Sequence, residues 1–183
     1  MFYRRLLSIL QPKSRVMALL AGAILLIGLS PALAAPDAPA REDAPAMTAP
    51  LVDEAGRAFT MAEFSDGPVL VNFWATWCAP CIAELPALSR AAAALAGDGV
   101  TVLLVSIDRG GTKKALPFLE THGVSGVKLG FDPKAKLSRE TGVRGLPTTL
   151  FLDAGAGSAW RFVGPFEWDE PAMLTMIRGL LAD

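Results

Sequence analysis

Trp77-Cys78-Ala79-Pro80-Cys81 holds the only two cysteines of the chain, and its setting limits the possible folds more than any other stretch. It follows the apolar run Val69-Leu70-Val71-Asn72-Phe73-Trp74 and precedes a helix-patterned stretch from Ile82 to Leu95. A buried strand that turns directly into a helix puts Cys78 at the helix N-terminus, where unpaired N–H groups and the positive end of the dipole favour a thiolate. Cys78 is therefore the expected nucleophile. Cys81, one turn further on, is close enough to close a disulfide with Cys78 and is shielded by its own helix, which suits a resolving thiol. Pro80 lacks an N–H, but in the first helical turn that donor has no partner to lose.

The same spacing occurs in half of a zinc site. Tetrahedral zinc needs a second pair of ligands, and the chain offers no further cysteine and one distant histidine, His122, so structural zinc is excluded. A purely structural disulfide is disfavoured, because so short a loop removes little chain entropy when closed. The run from Val71 to Cys81 resembles the thioredoxin superfamily. The resemblance implies thiol-disulfide exchange on a thioredoxin fold.

The 183 residues, 52% hydrophobic, suit one domain with additions. Arg4, Arg5, Lys13 and Arg15 precede an uncharged apolar stretch from Val16 to Leu29, followed by Ser30-Pro31-Ala32-Leu33-Ala34. This is the pattern of a signal peptide cut after Ala34; the apolar stretch falls short of the roughly 20 residues of a membrane span. An uncleaved anchor reaching Leu33 is the other reading, and either places the domain outside the cytoplasm. The remainder carries 13 Lys+Arg against 18 Asp+Glu, a net charge of −5, with nothing basic to hold nucleic acid. Residues 35–50, with Pro36, Pro39, Pro45 and Pro50 among alanines, read as an extended, largely disordered linker.

From residue 51 the pattern is that of one α/β domain ending at 183. Leu51 to Phe59 reads as a small hairpin, and Val69 to Phe73 as the central strand. A helix from Ala79 to Ala96 contains Pro86, which removes one hydrogen bond and predicts a kink near Ile82 to Glu84. Val100 to Ile107 is a continuous apolar run, expected of a strand covered on both faces. Helices are expected over Lys113–Thr121, Ala135–Thr141 and Glu170–Leu181, and strands over Val127–Phe131, Thr148–Asp153 and Ala159–Val163. This order fits a central mixed β-sheet flanked by helices.

Gly145-Leu146-Pro147-Thr148-Thr149 is the second informative loop. In the thioredoxin superfamily the matching loop holds a cis-proline opposite the two cysteines, so resemblance implies a cis Leu146–Pro147 bond, with the Leu146 backbone free to pair with an extended substrate. A trans proline that merely starts a strand is the alternative. The resemblance also places Asn72 where thioredoxins carry a buried Asp, and an amide cannot take a proton at working pH. Glu84, one turn past Cys81, offers a substitute; a carboxylate partly buried there has a raised pKa and can accept the Cys81 proton. The other reading of Glu84 is a surface residue favoured by the helix dipole.

Asn72, Trp77, the two cysteines, Glu84, Pro86, the Pro147 loop, the extra N-terminal hairpin and the export pattern together resemble the TlpA/ResA/CcmG group of periplasmic thioredoxin-like reductases. Gly164-Pro165-Phe166-Glu167-Trp168 is most similar to the TlpA members, whereas Thr148 departs from the acidic residue usual in CcmG. The resemblance implies a monomeric periplasmic thiol:disulfide oxidoreductase without cofactor or metal. Cys78, Cys81 and Glu84 are the expected catalytic residues, and Trp77, Pro80, Leu146 and Pro147 are expected to contact substrate. Implied partners are a membrane electron donor of the DsbD/CcdA type and disulfide-bearing clients, either apocytochrome c or the copper-delivery proteins of oxidase assembly. An exported disulfide oxidase differs by usually carrying a histidine between the cysteines, where this chain has Ala79-Pro80. A Cu(I) chaperone could use the same two thiolates, but no His or Met cluster stands near. His122 reads as a solvated helix end, Trp74, Trp160 and Trp168 as packing residues, and Lys113 and Lys114 as a charged face.

Overall fold

The computed structural model describes residues 39–181. The expected signal or anchor segment, residues 1–34, lies outside them, as do residues 35–38 of the linker.

Among the described residues eight strands form one sheet. In chain order they are β1 (Arg41–Asp43), β2 (Leu51–Val52), β3 (Ala58–Phe59), β4 (Val69–Trp74), β5 (Thr101–Ser106), β6 (Lys128–Phe131), β7 (Thr148–Leu152) and β8 (Ser158–Val163). Four α-helices accompany them among the described residues: α1 (Ala79–Leu95), α2 (Thr112–Thr121), α3 (Lys136–Glu140) and α4 (Pro171–Leu180). The spatial order is β1-β8-β7-β4-β5-β6-β2-β3. β4, β5 and β6 run parallel; β7 is antiparallel to β4, and β8 is antiparallel to β7 and so runs in the direction of β4 again. This is the mixed sheet of the thioredoxin fold, and the expected elements recur within a residue or two of their bounds.

Continuous apolar strands require two covered faces, and two cores meet that need. Along β4, Leu70 and Trp74 join a cluster with Leu85, Leu88 and Leu95 of α1, Ala115 and Leu119 of α2, and Met173 and Ile177 of α4. Val69, Val71 and Phe73 face the other way, against Leu51, Phe59, Met61 and Leu137 of α3. Each such side chain contributes about 1.5–3 kcal/mol on full burial. Asn72 is the one polar residue of β4, fully buried on the α1 face. α1 continues through Pro86; after one 3-10 turn, Gly99 at φ 76° reverses the chain into β5. The N-terminal hairpin β2–β3 extends the sheet through the pairing of Val52 with Phe131. Its close seat needs a glycine: a Cβ on Gly130 of β6 would stand 2.9 Å from Leu51 Cδ1.

The linker differs from its sequence expectation. From residue 41 it is docked, with β1 paired antiparallel to β8, Arg41 donating to Ser158 Oγ at 2.9 Å and Arg161 to Glu42 at 2.8 Å. The Glu140 carboxylate accepts from Thr48 N at 2.9 Å, Ala49 N at 2.8 Å and Thr48 Oγ1 at 3.2 Å. Composition predicted disorder because the segment carries no apolar period, whereas its order comes from partners about a hundred residues away. The Ala49 backbone bond, aided by the Thr48 bonds, holds the Glu140 pKa below the ordinary value. A lowered folded pKa means that the tie is complete above the ordinary Glu range and is lost as pH falls through the folded pKa. Glu140→Ala is expected to speed amide exchange at Thr48 and Ala49 several-fold at neutral pH, and the wild-type protein to show the same loosening only in acid. Unchanged exchange in the variant would mean that β1 alone fixes the segment.

Candidate functional site

Cys78 is the N-cap of α1 and Cys81 lies in its first turn. They form a disulfide with Cα atoms 5.3 Å apart, and Cys81 N donates to Cys78 Sγ at 3.3 Å. Cys81 is fully buried and Cys78 is 6% exposed. The helix N-terminus thus directs a donor at the sulfur read as nucleophile, and the helix body covers the other. Trp77 stands out at 63% exposure, and Pro80 is also exposed.

Leu146–Pro147 is cis. Pro147 O accepts from Gly164 N at 3.0 Å, and the Thr148 hydroxyl donates to Gly145 O at 2.8 Å. Ladder pairing starts at Thr148, so the backbone of Leu146 stays unbonded. Between this loop and the cysteines lies a groove of about 480 Å³ lined by Trp77, Cys78, Pro80, Ile107, Arg144 and Leu146 among others.

Behind the disulfide Glu84 is 2% exposed, so the surface reading of it is set aside. Its Oε1 accepts from Asn72 Nδ2 at 2.7 Å; its Oε2 accepts from Phe166 N at 3.1 Å and Trp168 Nε1 at 3.0 Å. Burial raises its pKa, the three donors oppose that rise, and burial prevails. Residues three apart on a helix share a side, which puts Glu84 on the side of α1 that carries Cys81.

Sequence reasoning missed three parts of this arrangement. Trp168 packs, as expected, against Phe162 and Phe166, but its indole N–H also serves Glu84. Asn72 shares its amide donor with Thr149 Oγ1 at 2.9 Å. Asp108, 1% exposed, accepts from Thr76 N and Thr76 Oγ1, both at 2.8 Å, and from Ser106 Oγ at 3.1 Å. That carboxylate fixes the residue two before Cys78. Lys114, expected from the sequence only as part of a charged face, places its Nζ 3.3 Å from Asp108 Oδ1. The usable signal was an aspartate directly after an apolar strand that adjoins β4. His122 caps α2 and stacks on Phe118, exposed as expected.

A helix-capping disulfide beside a cis-proline loop, on a mixed sheet of this order, defines a thiol:disulfide oxidoreductase of thioredoxin architecture. The model of the AhpC/TSA family matches residues 40–156, and the chain belongs to that family. It is 38% identical over 138 residues to thiol:disulfide interchange protein HelX of Rhodobacter capsulatus, covering 74% of each chain. It is also 38% identical over 99 residues to a DsbE homolog of Paracoccus denitrificans, covering 54% of this chain and 52% of that one. A crystal structure described as thiol:disulfide interchange protein DsbE from Chlorobium tepidum superposes with a TM-score of 0.68 at 27% identity, over 78% of this chain and 98% of the other.

Proposed function

We propose that the protein is an exported reductase of client disulfides, with Cys78 as nucleophile, Cys81 as resolving thiol and Glu84 as the group that takes the Cys81 proton. The observation that carries this reading is the Cys78–Cys81 pair at the N-terminus of α1, opening on a groove beside the unbonded Leu146 backbone. In the dithiol form the Cys78 thiolate attacks one client sulfur. The client S–S bond breaks, a mixed disulfide forms, and the displaced client thiolate takes a proton from solvent. Cys81 then gives its proton to Glu84 and attacks Cys78 Sγ; the second client thiolate leaves, and the protein ends as the Cys78–Cys81 disulfide. Two electrons pass to the client. Trp77, Pro80 and Leu146 form the surface that the client meets, and Pro147, itself buried and outside the groove lining, acts by setting the cis bond that leaves the Leu146 backbone open.

The clients are apocytochrome c or the copper-delivery proteins of oxidase assembly, and a membrane dithiol donor of the DsbD/CcdA type restores the reduced form. The working location is the periplasm, with residues 1–34 as signal peptide or membrane anchor. Among the described residues no helix is long and apolar enough to cross a membrane.

The direction of transfer is tested by equilibrating the full chain against dithiothreitol or glutathione. A Cys78/Cys81 potential well below the roughly −180 mV of protein disulfide isomerase is expected. A value near the roughly −120 mV of DsbA would make the protein an oxidant and remove this client list.

A further inference from the structure

Resting on the reductase reading above, we propose that the groove beside Cys78 selects client segments carrying a carboxylate close to the cysteine under attack, and that Arg144 reads it. Arg144 directly precedes Gly145-Leu146-Pro147, is exposed, and lines the groove together with Trp77, Ile107, Val143 and Leu146. Five other arginines, Arg41, Arg57, Arg90, Arg161 and Arg178, each end on a carboxylate of the protein. Among the described residues Arg109, Arg139 and Arg144 have no such partner, and of these three Arg144 lines the groove.

Two acids close in the chain to lining residues are committed elsewhere. Asp108, next to the lining residue Ile107, is buried against Thr76, Ser106 and Lys114. Glu140, four residues before Arg144, is turned to Thr48 and Ala49. Thr148 occupies the position after the cis-proline and folds its hydroxyl back onto Gly145 O. The groove therefore pairs an apolar floor with one uncompensated guanidinium, on a domain whose net charge from residue 35 onward is −5. Overall charge repels acidic segments, so any preference for them must be local to this cation.

The Leu146 backbone supplies the register. A client strand laid along it advances about 3.3 Å per residue, so an extended arginine beside the loop reaches a side chain within about two residues of the attacked cysteine. A fixed guanidinium takes a carboxylate by charge-assisted, often bidentate hydrogen bonds. An amide at the same place makes a weaker bond, and a client lysine is repelled.

The test uses three disulfide-cyclised peptides that differ at one residue, Glu, Gln or Lys, two positions before the first cysteine. Their reduction by the full chain, first reduced with dithiothreitol and then freed of it, gives three rate constants. At low ionic strength the Glu peptide is expected to react about tenfold faster than the Lys peptide, with Gln between and the spread shrinking in high salt. Arg144→Gln brings the Glu-to-Lys ratio to within about twofold, Arg144→Glu inverts it, and Arg144→Lys keeps its sign. Equal rates in the wild-type protein, or an undiminished ratio in Arg144→Gln, overturn the proposal while the reductase reading stands. If no peptide is reduced, the Gln peptide included, the reductase reading fails and this one with it.

Discussion

Cys78→Ser is expected to lose disulfide-reductase turnover by about a thousandfold or more, to the level of uncatalysed exchange. Serine keeps the shape of the N-cap and can still accept from Cys81 N, so the fold and the groove should persist. What it lacks is a group that ionises near neutral pH: a hydroxyl at the same helix terminus stays protonated, whereas a thiol there is drawn toward the thiolate by the dipole. Cys81→Ser is expected to behave in the opposite way. The first attack proceeds, about one client thiol appears per protein molecule, and the reaction stops at a Cys78–client disulfide that survives non-reducing electrophoresis. The asymmetry follows from burial, since a fully covered Cys81 can meet only the sulfur of Cys78. Trapping by Cys78→Ser through Cys81, or substantial turnover in that variant, would reverse the two roles.

What the sequence revealed was short in range. The junction of Val69–Trp74 with Ile82–Leu95 could be read because a continuous apolar run and a helical period adjoin within a few residues, and the strand and helix bounds followed by the same logic. The cis Leu146–Pro147 bond came from resemblance alone, since nothing local distinguishes it from a proline that starts a strand. The features that escaped are bonds across long stretches of chain: Trp168 to Glu84, Thr76 to Asp108, and Thr48 and Ala49 to Glu140. Each end of such a bond looks ordinary by itself. A tryptophan with apolar neighbours reads as packing, and an Ala/Pro-rich linker reads as disorder, until the fold supplies the partner. Arg144 belongs to the same class, because its lack of a carboxylate partner is visible only once the fold has turned Asp108 and Glu140 to other groups.

Glu84 carries the second large effect, and its environment sets both the sign and the variant to use. The folded pKa is raised above the unfolded one, chiefly by burial. Its contribution to stability is therefore fully present below the ordinary Glu range, near 4.3, and is lost as pH rises through the folded pKa. Subtracting the stability of Glu84→Gln from that of the wild type should give a difference that falls with pH across this window and is flat below it. Glutamine suits this test because it keeps the size and shape of the side chain and its Oε1 keeps Phe166 N and Trp168 Nε1, so that only the contact with Asn72 is disturbed. Alanine does not, since it leaves the buried Trp168 indole N–H and the Phe166 amide without their acceptor, at about 1–3 kcal/mol for a buried donor, and leaves Asn72 Nδ2 with Thr149 Oγ1 alone. In catalysis Glu84→Gln is expected to spare the attack by Cys78 and to slow resolution by Cys81 about a hundredfold, the usual size of a lost general base. The mixed disulfide then accumulates at neutral pH, and the rate of its decay loses the inflection that the wild-type protein shows above the ordinary Glu range. A purely structural Glu84 would lower stability without touching that inflection. Wild-type resolution rates with an intact pH profile in Glu84→Gln would remove the carboxylate from the proton path and leave solvent as the acceptor of the Cys81 proton.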